Sequence, residues 1–116
     1  MDYLEKAKIL KQNTNVLETT FGLYDFILRD FTIVPSNEGT GDCNVIVELT
    51  NSTKELKKNF IIKVNFYDEN DDLYNCFEQK IIGIKFGCYD TIRIECKDCG
   101  RVLDIATKGR IYLKKA

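Results

Sequence analysis

Period-two alternation of apolar and polar side chains, broken every few residues by turn-forming clusters, constrains this chain more than any other feature. Residues 60–67 carry it most cleanly, with Phe60, Ile62, Val64 and Phe66 set against Lys63 and Asn65. Residues 43–50 repeat it: Cys43, Val45, Val47 and Leu49 share one parity, while Asn44, Glu48 and Thr50 share the other. Successive side chains of a strand point to opposite faces, so each stretch buries one face and wets the other. Antiparallel sheets tolerate that one-sided burial. A first strand fits residues 26–34, ending at Pro35, the only proline. Residues 73–84 fit one or two strands, residues 89–96 another, and the tail reads as a hairpin of 101–106 and 110–114 around Thr107-Lys108-Gly109.

Between these segments lie a loop at 35–42, a turn at Asn51-Ser52-Thr53, the polar reversal Asp68-Glu69-Asn70-Asp71-Asp72 and a break at Gly87. Short strands at short intervals with turn signals between them point to an antiparallel sandwich or barrel of about 7 strands. Ahead of them, Tyr3, Leu4, Ala7 and Leu10 follow the i, i+3, i+4, i+7 spacing of an amphipathic helix, which Asn13-Thr14-Asn15 interrupts. The chain therefore divides into a helical extension over 1–20 and a β-domain over 21–116. The helix either packs on that domain or makes a homodimer through residues 1–19.

Residues 45–96 resemble a known family. Val45-Ile46-Val47-Glu48-Leu49-Thr50-Asn51-Ser52 is similar to the strand and Asn-x-Ser turn of small immunoglobulin-like domains of the FxLYD type. Val64-Asn65-Phe66-Tyr67-Asp68-Glu69-Asn70 resembles their next strand, and residues 84–94 their closing segment. The string Phe21-Gly22-Leu23-Tyr24-Asp25 spells the family motif, although strand order favours Phe66-Tyr67-Asp68 as its counterpart. The N-terminal helix and C-terminal hairpin depart from the pattern, as do the acidic residues where a glycine is usual. The resemblance implies an antiparallel immunoglobulin-like β-sandwich; with the short N-terminal α-helix read from the apolar spacing, the expected fold is mainly β. It also implies an accessory module without a shared catalytic site.

The chemistry on offer is narrow. The chain has 116 residues and no histidine. That removes the commonest general base, the histidine-assisted nucleophiles and most catalytic zinc sites. Gly39-x-Gly41 has neither the lysine nor the following helix of a phosphate loop. The expectation is therefore no enzyme.

Cys96-Lys97-Asp98-Cys99-Gly100 is the one pointed motif, half of a zinc knuckle. Its completion would need Cys43, Cys76 or Cys88, and Cys88 lies roughly 26 Å from Cys96 along a regular strand. The competing expectation is that Cys43 and Cys96 are core thiols sharing the faces of Val45 and Ile94, with the Cys-x-x-Cys in a hairpin turn. A redox pair is a further alternative, but such a pair normally sits at a helix N-terminus. The acidic run at 68–72 lacks the glycine and final glutamate of a calcium loop and reads as a solvated turn. Asn51-Ser52-Thr53 matches a glycosylation sequon and is read as an Asx-type turn.

Seventeen basic and eighteen acidic residues leave a net charge of −1, without the basic excess of a general nucleic-acid binder. Lysines at 54, 57 and 58, with Lys108, Arg110, Lys114 and Lys115, form local clusters beside aromatics that could stack bases, so single-stranded nucleic acid stands as a third reading. No apolar run reaches membrane-spanning length, and MDYLEKAKILKQ has no signal-peptide core. The expectations are a cytoplasmic protein with no membrane partner and five cysteines held as thiols or metal ligands. The leading functional expectation is a protein-interaction module, with a small inhibitor as a special case. Its partner-binding candidates are the 35–42 loop, Asp68, Asp71 and Asp72 of the acidic turn, and Lys108 and Arg110 of the tail.

Overall fold

A computed structural model describes residues 2–37, 39–52, 58–82, 87 and 89–116. Thr53, Lys54, Lys57, Ile84 and Cys88, each singled out above, lie outside the described residues. The chain opens with α1 (Tyr3–Gln12), capped by the Asp2 carboxylate, which accepts from the Glu5 backbone N–H at 2.8 Å. Short segments β1 (Thr14–Val16) and α2 (Glu18–Leu23) follow, then β2 (Phe26–Pro35), β3 (Cys43–Asn51), β4 (Phe60–Tyr67) and β5 (Leu73–Ile81). After β6 (Thr91–Cys99) come one helical turn, α3 (Val102–Ile105), and β7 (Lys108–Lys115).

The strands form two sheets, one in the order β1-β7-β4-β5 and the other β2-β3-β6. The fold is thus a mainly β, seven-stranded sandwich with a short N-terminal helix. Its core is made by the alternating residues the sequence singles out. Cys43, Val45, Val47 and Leu49 of β3 face Phe60, Ile62, Val64 and Phe66 of β4 across the interior, all buried. A fully buried aliphatic or phenyl side chain contributes about 1.5–3 kcal/mol, so these two strands hold the sheets together. Phe26 meets Phe60 edge-on at 5.3 Å between ring centres, and Phe77 meets Phe66 at 6.3 Å.

Residues 2–20 are built into this body. Ala7 and Leu10 of α1 are buried, and the helix lies against β2 and α3. Asn13-Thr14-Asn15, an interruption in the helical pattern, leads into a strand: β1 runs parallel to β7, Thr14 opposite Gly109 and Val16 opposite Ile111. Every other strand pair among the described residues is antiparallel, so the all-antiparallel expectation is corrected at this edge. No hairpin links β1 to β7, and the whole sandwich serves as their crossover. Beyond β1, the Leu17 N–H donates to the Ile111 carbonyl at 2.9 Å, and the Leu113 N–H donates to Thr20 Oγ1 at 3.0 Å. These bonds cover the outer edge of β7.

The C-terminal hairpin is also corrected. Val102 and Leu103 are buried, but in a helical turn rather than a strand. The Leu103 N–H donates to the Gly41 carbonyl at 2.9 Å, the Arg101 N–H donates to Asp42 Oδ1 at 2.8 Å, and Tyr3 donates its hydroxyl to Asp104 Oδ1 at 2.9 Å. Lys6 and Arg101 add their charges to Asp104 at 3.6 and 3.9 Å. Gly41 sits at φ +73°, and a Cβ there would run into the Asp104 carboxylate, so glycine is required. The Asp104 carboxylate therefore ties α1 to α3, while the Arg101 and Leu103 N–H groups tie this turn to the 35–42 loop.

Candidate functional site

The outer edges of β5 and β6 have no strand partner among the described residues: β5 pairs only with β4, and β6 only with β3. The two edges flank a groove of about 390 Å³ lined by residues 79–82 and 92–95. Ile81, Ile92 and Ile94 form its buried floor, and Ile82 is 38% exposed at its rim. Gln79, Lys80, Arg93 and Glu95 supply the polar part of the lining. Lys63 Nζ meets Glu78 at 2.9 Å across the β4–β5 pair, and Arg93 meets Glu48 at 3.8 Å across β3–β6. The Lys63 hydrogen bond holds the Glu78 carboxyl below its usual range, and Glu78 in turn raises the lysine. Charges along an edge strand discourage indiscriminate strand pairing.

The sequence-derived partner residues fall elsewhere. Asp68 folds the acidic turn on itself: its Oδ1 accepts from the Asn70 N–H at 2.9 Å and the Asp72 N–H at 3.1 Å. Asp71 forms an ion pair with Lys108, because Tyr67 and Lys108 are register partners and bring the turn beside the start of β7. Acid and base thus partly neutralise one another at this end. Arg110, two residues on, is exposed opposite Asn65. Among the described basic residues, Lys58 and Lys115 come together, and the Lys115 ammonium pushes the Lys58 pKa down. Phe60 and Phe66 lie in the core and Phe77 is half-buried against it, so none of the three is a free stacking platform.

The thiols gather at the opposite end of β3 and β6. Residues 96 and 99 differ by an odd number and would point to opposite faces of a regular strand. A bulge reverses this: Val45 pairs with Cys96 while Cys43 pairs with Cys99, and Asp98 takes φ +52° with its N–H on Asn44 Oδ1 at 2.9 Å. Cys43 and Cys99 are both 0% exposed, and Cys96 is half-buried against the core. The core-thiol expectation for Cys43 and Cys96 therefore matches the structure, whereas the hairpin turn around Cys96 and Cys99 does not: it is a bulged strand end. The neighbouring Cys43 thiol, together with burial, raises the Cys99 thiol strongly, and Cys99 Sγ donates to the Cys96 carbonyl at 3.5 Å. Burial, with Cys99 nearby, pushes Cys96 up to about 11. Among the described residues no group of three or more Cys, Asp or Glu side chains is placed to hold a metal ion. Cys76, the other described cysteine, is exposed on β5.

Asn51 is fully buried, and its Nδ2 donates to the Gly87 carbonyl at 2.9 Å. The amide of the sequon therefore faces the interior instead of offering a glycosylation site. Its burial was not legible from the turn-like Asn-Ser-Thr string.

No family model matches the chain, and no curated protein matches it in sequence. Among solved structures it is similar to a DUF1425 family member from Shewanella sp. pv-4, with a TM-score of 0.53 and 10% identity over 78% of each chain. It is also similar to Cj0090 of Campylobacter jejuni, with a TM-score of 0.49 and 14% identity over 90% of this chain and 98% of that one. A third similar chain is the uncharacterized lipoprotein YajI of Escherichia coli, with a TM-score of 0.41 and 14% identity over 78% of this chain and 55% of that one. The first likeness supports the small β-sandwich and nothing finer, and membership of the FxLYD-type family is not confirmed. The cytoplasmic expectation is corrected: a lipoprotein stands among the similar chains, and the first residues of a sequence do not by themselves fix a compartment. No helix among the described residues is long and apolar enough to cross a membrane.

Proposed function

We propose that this chain is a non-catalytic protein-interaction module that receives an extended segment of its partner along the open edges of β5 and β6. The observation that carries the reading is the groove of residues 79–82 and 92–95, bordered by two strand edges without strand partners among the described residues. Extended segments add to such edges through main-chain hydrogen bonds, and pockets for alternate side chains supply selectivity. The isoleucine floor favours an apolar side chain at every second position, and the polar rim favours hydrophilic ones between them. The lack of histidine in the whole chain supports a binding role over a catalytic one. Asp68, Asp71, Asp72, Lys108 and Arg110 form the competing surface, but Asp68 is engaged within its turn and Asp71 pairs with Lys108.

A photoreactive phenylalanine analogue placed singly at Gln79, Glu95, Asp72 or Gly39 separates these surfaces. The reading expects partner adducts from positions 79 and 95 in the native cell, with little from 72 or 39. Adducts confined to 72 or 39 would place the interface on the turns and loops and refute the groove.

A further inference from the structure

We infer that Cys43 and Cys99 are a modification site, a cross-strand dithiol that closes to a disulfide linking β3 to β6. The inference stands on their pairing and burial, and it is independent of the groove. Cys43 and Cys99 are register partners on adjacent antiparallel strands. Such partners have Cα atoms about 4.5–5.5 Å apart. That falls inside the span of about 4.4–6.8 Å a disulfide needs. Both side chains are 0% exposed, and the register places them side by side on the same inner face. The bulge at Cys96–Cys99 is what puts Cys99 on that face, since an unbroken strand bearing Cys96 inward would send Cys99 outward. Cys96 lies opposite Val45 and has no cysteine across from it.

The oxidant is a small disulfide such as oxidised glutathione. One protein thiolate attacks it to form a mixed disulfide and releases one glutathione thiolate. The second protein thiolate then attacks the protein sulfur of that mixed disulfide and releases the other. Two protein S–H bonds are lost and one S–S bond is made. The two electrons reduce the oxidant, and the two protons end on the two glutathiones. Because neither thiol is exposed, the folded protein reacts only through opening, and the bond forms most readily as the chain folds.

The test is to refold the full chain in glutathione buffer, either oxidising or fully reducing, then block free thiols and map the linkage by mass spectrometry. The expected result is one Cys43–Cys99 bond, with Cys76 and Cys96 blocked as thiols. The oxidised form should melt about 10 °C or more above the reduced form, because the bond closes a long loop. Cys43→Ala and Cys99→Ala should abolish the redox dependence of Tm, each judged against its own reduced form, whereas Cys96→Ala should keep it. Linkage through Cys96 instead, or no linkage after oxidative refolding, would overturn the inference.

Discussion

Replacing Gly109 with valine should cost about 3 kcal/mol of stability, at the upper end of what overpacking a core costs. Gly109 stands in β7 between Phe66 of β4 and Thr14 of β1. A Cβ built there would lie 3.1 Å from two ring carbons of Phe66 and 3.0 Å from Thr14 Oγ1. Phe66 is 0% exposed and closed in by the core, so it cannot swing away. Thr14 belongs to the three-residue β1, whose displacement would uncover the edge of β7. Valine adds two methyl groups to the Cβ that already crowds both neighbours. Urea unfolding reads the effect directly. Gly22→Ala is the control, since nothing lies within 4 Å of a Cβ at Gly22, and it should leave the midpoint nearly unchanged.

Asn51→Ala should cost about 2–3 kcal/mol, because it leaves a carbonyl without its buried donor and opens a small void. The Asn51 side chain reaches the Gly87 carbonyl at 2.9 Å, while its backbone holds the start of β6: its N–H donates to the Asp90 carbonyl at 3.1 Å, and its carbonyl accepts from the Tyr89 N–H at 2.9 Å. The residue thus joins the end of β3 to the chain entering β6. Thermal unfolding of Asn51→Ala beside Ser52→Ala checks the assignment. Ser52 is exposed, and its hydroxyl donates to the Asp25 carbonyl at 2.7 Å, so its loss should cost clearly less. Equal losses would mean that the corner, not the buried amide, carries the stability.

The sequence revealed the parts of the fold in which one face is dry and the other wet. β3 and β4 alternate because Val45, Val47, Ile62 and Val64 are buried in the hydrophobic core, so their parity was readable without any knowledge of partners. β1 was hidden because a ladder uses backbone groups, and Thr14-Asn15-Val16 is too short to display a period. The run Val102-Leu103-Asp104-Ile105-Ala106 is apolar enough for a strand. Its helical turn is set by the distant Gly41 carbonyl and the Asp104 cluster. The bulge that turns Cys99 inward was likewise invisible in a Cys-x-x-Cys spacing. The groove went unseen because its two walls, 79–82 and 92–95, come from strands in different sheets. A trace of it was present in Glu78-Gln79-Lys80, a polar run that marks an edge strand.

Amide hydrogen exchange of the chain, free and bound to the partner recovered through positions 79 and 95, tests the central claim most directly. The outward-facing amides of β5 and β6 have no strand across from them among the described residues and should exchange quickly in the free protein. Strand addition predicts marked slowing within 79–82 and 92–95 on binding, with the 68–72 turn and the start of β7 unchanged. Protection confined to 68–72 and 107–110, with β5 and β6 exchanging as before, would contradict it.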